Sequence, residues 1–212
     1  MNIDLAVFDI AGTTVQEHGL VYSTLEQTVR DAGADVTSED IREWMGADKR
    51  EAIRALLGRE DVEEVHAQFR TRLAGAYRER PPEPFPAVPE TFAQLRAQGA
   101  KIALTTGFDR EITDALLEIV GWRDLDAVIC ADDVPAGRPA PYMIFRAMER
   151  TGAIDVARVL VAGDTVLDLR AGANAGAGTV FGVLTGGVPE ETLAAEQPTA
   201  VLEDLSALFA RV

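Results

Sequence analysis

The sequence predicts an α/β protein built on a doubly wound parallel sheet, with a helical block inserted near its start. Three observations carry this. From about residue 88 onward, short apolar runs alternate with helical stretches, the pattern of a parallel sheet covered on both faces. One further apolar run stands alone at the N-terminus. Between the two, residues 20 to 80 carry helical periodicity only.

Residues 3 to 8 read as a buried strand ending just before Asp9. "VYSTLEQTVRDAG" places Val21, Leu25 and Val29 on one helical stripe, with Gly33 to stop it. A short helix is expected at 38 to 44. "DKREAIRALLG" follows, with Asp48 as N-cap and Gly58 as stop. A longer helix is expected over 61 to 79. "RPPEPFPAVP" then breaks the pattern with Pro81, Pro82, Pro84 and Pro86, as a hinge or boundary would. The expected division is a core of residues 1–15 and 86–212 and an inserted helical domain of residues 16–85.

In the core, helices are expected at 88 to 98, 109 to 120, 139 to 151, 166 to 175, 189 to 195 and 202 to 211. The strands are "KIALTT", "DAVICA", "RVLVAGD", "GTVFGVL" and "AVL". There is no internal repeat and no low-complexity tract.

The chain has 212 residues and a formal net charge of −15, which disfavours nucleic acid and anionic membranes as partners. The acidic residues are scattered, as on a solvated surface, and a high-salt habitat is compatible with them. No apolar run approaches the roughly 18 residues of a membrane helix. No basic region followed by an apolar stretch opens the chain, so a soluble cytoplasmic protein is expected. The single cysteine, Cys130, lies in an apolar run and reads as a buried, inert thiol. Of the 20 basic residues, only Lys49 and Lys101 are lysines. Where arginine serves almost everywhere, a retained lysine draws attention to amine chemistry.

Ligands of doubly wound sheets sit at the carboxyl ends of the strands. The polar residues there are Asp9, Thr105, Thr106, Asp164 and Asp168, with Arg138 in a nearby loop. A single Asp at such a turn can be merely a helix cap. Clustered carboxylates repel unless a cation sits among them, and oxygen ligands of this kind suit Mg²⁺. A hydroxyl and a guanidinium beside it would suit a phosphoryl group.

"DIAGTT", "LTTG", "GRPAP" and "GDTVLD", in this order, resemble the four motifs of the haloacid dehalogenase superfamily. The helical block falls where that family's first type of cap is inserted into a Rossmann-like core. The resemblance implies Asp9 as the nucleophile that forms an aspartyl-phosphate. It implies Thr106, rather than Thr105, as a donor to the phosphoryl oxygens, and Arg138 as the balancing cation. Mg²⁺ would be held by Asp9, Asp164 and the backbone carbonyl of Ala11. Asp168 would orient a metal-bound water or Arg138. Gly12, Thr13 and Gly107 would lie against the substrate.

Most phosphatases of the superfamily carry a second aspartate two residues after the nucleophile, to protonate the departing alkoxide. Here that residue is Ala11. The phosphonoacetaldehyde hydrolases, or phosphonatases, share this alanine, and share the arginine of "GRPAP" where most relatives have lysine. In that branch a cap lysine condenses with the substrate aldehyde, and the iminium draws electrons from the carbon–phosphorus bond. "WMGADKREAIRALL" resembles the corresponding segment, with Met45, Gly46 and Lys49 in matching places. Arginine at 49 would keep the charge but could not form a Schiff base. The alternative is an ordinary exposed lysine in a first helical turn, where the helix dipole disfavours a cation. That same field, with closure of the cap, would lower its pKa.

One departure stands out. Phosphonatases carry an acid/base histidine three residues after the lysine, and here that residue is Ala52. His18, near the hinge, could reach the site; His66 reads as a surface or core residue of the insertion. Three functions therefore stand side by side: a Mg²⁺-dependent phosphonatase-like hydrolase, a small-molecule phosphate-ester phosphatase, and a non-catalytic sensor of phosphorylated ligands. The partner in each case is a small phosphonate or phosphate. A homodimer through the cap is one arrangement the resemblance allows.

Overall fold

The structure is a computed structural model that describes residues 2–210. A six-stranded sheet, all parallel, forms its centre. The strands are β1 (Leu5–Asp9), β4 (Lys101–Thr105), β5 (Ala127–Ile129), β6 (Val159–Gly163), β7 (Thr179–Val183) and β8 (Ala200–Leu202), in the order β5-β4-β1-β6-β7-β8. Two short strands, β2 (Val15–Gln16) and β3 (Glu83–Pro84), pair antiparallel in a separate ribbon.

Strand β1 is buried throughout, and alternation sends its side chains to both faces. Ala6 and Phe8 join Ile102, Leu104, Leu160 and Phe181 on one face. Leu5 and Val7 join Ala103, Ile129, Met143 and Val161 on the other. Helix α5 (Val88–Ala97) covers the first face, where Phe92 meets Phe8 with ring centroids 5.2 Å apart. Helices α7 (Tyr142–Thr151) and α8 (Val166–Ala175) cover the second. Helix α6 (Arg110–Val120) starts at Asp109, whose side chain accepts the Ile112 N–H. Helix α9 (Glu190–Ala194) lies beside β8.

The inserted helices are α1 (Leu20–Asp31), α2 (Ser38–Glu43), α3 (Lys49–Leu57) and α4 (Glu63–Glu79). They pack on one another, α1 against α4 above all. The β2–β3 ribbon sets the two crossings of the chain side by side, where it leaves the sheet and where it returns. Among the described residues, no helix is long and apolar enough to cross a membrane.

Strand β1 and helix α4 begin two residues later than the sequence expectation, and three other elements differ from it for local reasons. The helix expected from 139 begins at Tyr142, because a residue before proline is steered out of the helical region and Ala140 precedes Pro141. The strand expected through "DAVICA" stops at Ile129. The Asp133 carboxylate accepts the Cys130 N–H at 2.9 Å and turns the chain into a 3-10 helix, Ala131–Asp133. The last helix is a 3-10 helix, Leu205–Ala210, entered through Asp204, which accepts the Ser206 N–H at 2.7 Å; residue 211 lies outside the described residues. Asp48 and Gly58 do bound α3 as expected. Cys130 is buried, and burial pushes its thiol up to about 11.

Candidate active site

Strand β1 lies where the chain reverses direction across the sheet, with β4 on one side and β6 on the other. Ligands of such sheets bind outside the carboxyl ends of the strands at this point. Asp9 ends β1, in register with Thr105 at the end of β4. Asp164 follows β6 directly.

The turn after Asp9 is tightly bonded. The Thr14 hydroxyl donates to the Asp9 carbonyl at 2.9 Å, and the Val15 N–H donates to the Ile10 carbonyl at 2.8 Å. Gly12 has φ +95°, a region open mainly to glycine, and a Cβ there would collide with the Asp164 carboxylate. Thr13 donates to Asp164 at 2.7 Å.

Arg138 gathers the other acids. Its guanidinium lies 2.6 Å from Asp9 and 2.7 Å from Asp168, and donates to the Thr105 hydroxyl at 2.8 Å. Asp168 is also the third residue of α8; its carboxylate accepts the Thr165 N–H at 3.1 Å, closing a capping box, and the Thr165 hydroxyl at 2.6 Å. One carboxylate thus fixes both a helix start and an arginine.

Lys49 reaches the same place from the insertion. It opens α3, and its backbone N–H donates to the Gly107 carbonyl at 3.2 Å. A Cβ at Gly107 would strike the Ala47 carbonyl, so the close seating of the 46–48 loop needs glycine there. The Lys49 side chain is only 3% exposed. Its Nζ donates to the Ala47 carbonyl at 2.8 Å and stands 5.6 Å from the centre of the Phe108 ring. Burial lowers its pKa to about 8, against the opposing charges of Asp48 and Asp9. Burial, which closure of the insertion over the amine supplies, is the largest cause. Burial also raises the Asp9 carboxyl to about 7, aided by Asp168 and opposed by Arg138.

Asp9, Ala11, Lys49, Thr106, Gly107 and Arg138 line one small cavity. Met45 instead lines a larger neighbouring groove, and Gly12 a third cavity beside Asp164. A carboxylate, a hydroxyl, a guanidinium and an amine with a pKa of about 8 stand together around this cavity.

A haloacid dehalogenase-like hydrolase family model matches residues 6–181. The chain is 33% identical to a phosphonoacetaldehyde hydrolase of Bacillus cereus, across 97% of this chain and 86% of that one. It is 34% identical to a phosphonoacetaldehyde hydrolase-like protein of Syntrophobacter fumaroxidans, across 91% and 77%. The chain belongs to the haloacid dehalogenase-like hydrolases, in their phosphonatase-like branch. Solved structures of this hydrolase fold superpose well. A phosphonoacetaldehyde hydrolase-like protein of Oleispira antarctica gives a TM-score of 0.87 at 20% identity, covering 100% of this chain and 92% of that one. A Pseudomonas syringae hydrolase gives 0.82 at 20%, covering 97% and 96%.

The donor set of this hydrolase fits a divalent cation. Asp9, Asp164 and Asp168 are all buried, and Arg138 pairs with Asp9 and Asp168. Among the described residues no arginine or lysine pairs with Asp164. Burial and the charges of Asp9 and Asp168 push its carboxyl well above the usual range. Among the described residues no group of three or more His, Cys, Asp or Glu is arranged to hold a metal unaided. Two carboxylates, one carbonyl, waters and substrate oxygens are the set Mg²⁺ favours.

Neither histidine replaces the missing one. Ala52 is fully buried in the apolar core of the insertion. His66 is buried on α4 with Nε2 3.5 Å from Asp109 Oδ2, and His18 lines the cavity beside Asp164, not the one around Lys49. Sequence reasoning missed four lining residues, Val21, Tyr22, Phe108 and Thr165. Only Thr165 left a signal, since T-x-x-D in "GDTVLD" is a capping box; Tyr22 lies off the apolar stripe of its helix.

Proposed function

We propose that the protein is a Mg²⁺-dependent phosphonatase-like hydrolase that cleaves the carbon–phosphorus bond of phosphonoacetaldehyde or a related carbonyl phosphonate. The observation that carries this reading is Lys49, a buried amine of lowered pKa in the same cavity as Asp9 and Ala11.

In this reading residues 16–85 form a cap that delivers Lys49 to the core. Arg138 and Thr106 hold the phosphonate oxygens and aim phosphorus at the Asp9 carboxylate. Gly107 forms part of the cavity wall, Gly12 and Thr13 set the turn beside Asp164, and Met45 lines the adjoining groove. The neutral Lys49 amine adds to the substrate carbonyl, and the carbinolamine takes up one proton from solvent and loses water, giving an iminium. Asp9 then attacks phosphorus. The electrons of the carbon–phosphorus bond flow into the iminium, and the carbon leaves as a neutral enamine. No acid is needed at residue 11, because no alkoxide departs. Protonation at carbon and hydrolysis of the imine free Lys49, while water releases phosphate from Asp9. Asp168 fixes Arg138 throughout. Asp9, Asp164 and the Ala11 carbonyl are the residues that would hold Mg²⁺, whose charge would offset the repulsion between these carboxylates and an anionic substrate.

One observation favours a second reading, a small-molecule phosphate-ester phosphatase: Ala52 leaves imine formation without the histidine of other phosphonatases. A sensor without catalysis is set aside, since the family is one of hydrolases. The deciding experiment is phosphate release from phosphonoacetaldehyde and from a panel of phosphate esters, with Mg²⁺ and with EDTA. The aldehyde phosphonate should be preferred and EDTA should stop the reaction. Preference for esters over every carbonyl phosphonate would overturn the first reading for the second.

A further inference from the structure

Three cavities meet at one side chain. The cavity around Asp9 and Lys49 measures about 20 Å³, room for about one water. Beside it a groove of about 810 Å³ opens between Glu39, Arg42 and Met45 on one side and Val166, Arg170 and Val188 on the other. A third cavity of about 160 Å³ lies beside Asp164. Tyr22 lines all three.

Among the described residues, only Tyr22 and Thr165 border both the reaction cavity and the large groove. Thr165 is tied into the site, because it caps α8 and bonds Asp168, which in turn pairs with Arg138. Tyr22 carries no such duty. It is held by the Gly46 N–H, which donates to its hydroxyl at 3.3 Å, and its ring centre lies 6.0 Å from Lys49 Nζ.

We propose that Tyr22 is the partition that sets how long a carbon chain the site accepts beyond the group bound at Lys49. This deepens the hydrolase reading above and rests on it. The Tyr22 ring faces Nζ across 6.0 Å, so a short carbon chain running from a carbonyl at Nζ toward the groove stops at that ring. A longer one would need the groove, which Tyr22 closes off. The cavity as it stands has room for about one water, so a substrate is admitted only if insertion and core part around Tyr22. The substrate class is therefore short-chain β-carbonyl phosphonates, and the groove stays outside the reaction space.

The test is the ratio of kcat/KM for long and short members of two series: 2-oxoalkylphosphonates against phosphonoacetaldehyde, and hexyl phosphate against ethyl phosphate. Wild type should favour the short member of each series it hydrolyses. Tyr22→Ala should raise the long-to-short ratio by at least about tenfold, the scale on which pockets discriminate methylene groups. Tyr22→Phe, which keeps the ring, should hold the ratio within about threefold. Tyr22→Leu supplies the same comparison if the alanine variant does not fold. A folded variant with an unchanged ratio overturns the proposal, and so does an equal change in Tyr22→Phe, which would assign the effect to the hydroxyl. If esters alone are hydrolysed, the phosphonatase reading fails while the ester series still tests Tyr22.

Discussion

Lys49 and Asp9 line one buried cavity, although one opens an inserted helix and the other ends the first core strand. An amine and a carboxylate so placed can take hold of two ends of one small molecule.

The amine should titrate within the working range. With a pKa of about 8, Lys49 is neutral in about a tenth of molecules at pH 7 and about nine tenths at pH 9. The neutral form is the nucleophile, so the rate of imine formation should rise roughly tenfold across that range and then level off. Single-turnover trapping at fixed aldehyde concentration measures it. A rate flat from pH 7 to 9 would contradict the lowered pKa.

Asp9→Asn should abolish phosphate release, because an amide cannot form the acyl-phosphate. Circular dichroism should still report a folded chain. Substantial turnover by a folded Asp9→Asn protein would remove Asp9 as nucleophile.

Asp164 should govern both metal binding and pH-dependent stability. Its folded pKa, like that of Asp9, is raised. The folded state therefore holds protons that the unfolded state has released, and stability falls as pH rises from the ordinary carboxylate range toward neutrality. Metal-free protein should melt at lower temperature at pH 7.5 than at pH 5, and Mg²⁺ should reverse the loss. Asp164→Asn should raise the metal-free melting temperature at pH 7.5 by roughly 2–4 °C, the shift about 1 kcal/mol makes at this size. It should also lose the Mg²⁺-dependent increase. An undiminished Mg²⁺ shift in that variant would show that Asp164 is not a ligand.

Asp109 joins the core to the insertion. It caps α6 and lies 3.5 Å from buried His66. Asp109→Ala removes the cap, at a cost of about 1 kcal/mol. Urea unfolding should show the loss, and a change under about 0.3 kcal/mol would mean the cap contributes nothing.

Ala11 borders the cavity that holds Asp9. Ala11→Asp should not speed cleavage of a carbonyl phosphonate, since the enamine needs no acid and the new carboxylate would repel the substrate. It should raise hydrolysis of phosphate esters roughly tenfold or more, because an alkoxide does need one. Faster carbon–phosphorus cleavage would contradict the enamine route.

The strands and most helices could be read from apolar alternation and helical spacing, because β1 and its neighbours are buried on both faces. The elements misjudged at "DAVICA" and after Leu202 were decided by single carboxylates, Asp133 and Asp204, capturing backbone N–H groups, which periodicity does not register. Asp9, Asp164, Asp168 and Arg138 were legible because chemistry clusters at strand ends. Lys49 was legible through its rarity. Its burial was not, since that depends on the 46–48 loop seating against Gly107. Tyr22 could not be found, because its place follows from how α1 meets the core.

Borohydride trapping tests the central assignment most directly. Wild type incubated with phosphonoacetaldehyde and sodium borohydride should lose activity and carry a reduced adduct on the peptide containing Lys49. Lys49→Arg should carry none and should lose carbon–phosphorus cleavage by several orders of magnitude while staying folded. Phosphate released from phosphonoacetaldehyde at full rate, with no adduct at Lys49 and with Lys49→Arg still active, would contradict the Schiff base.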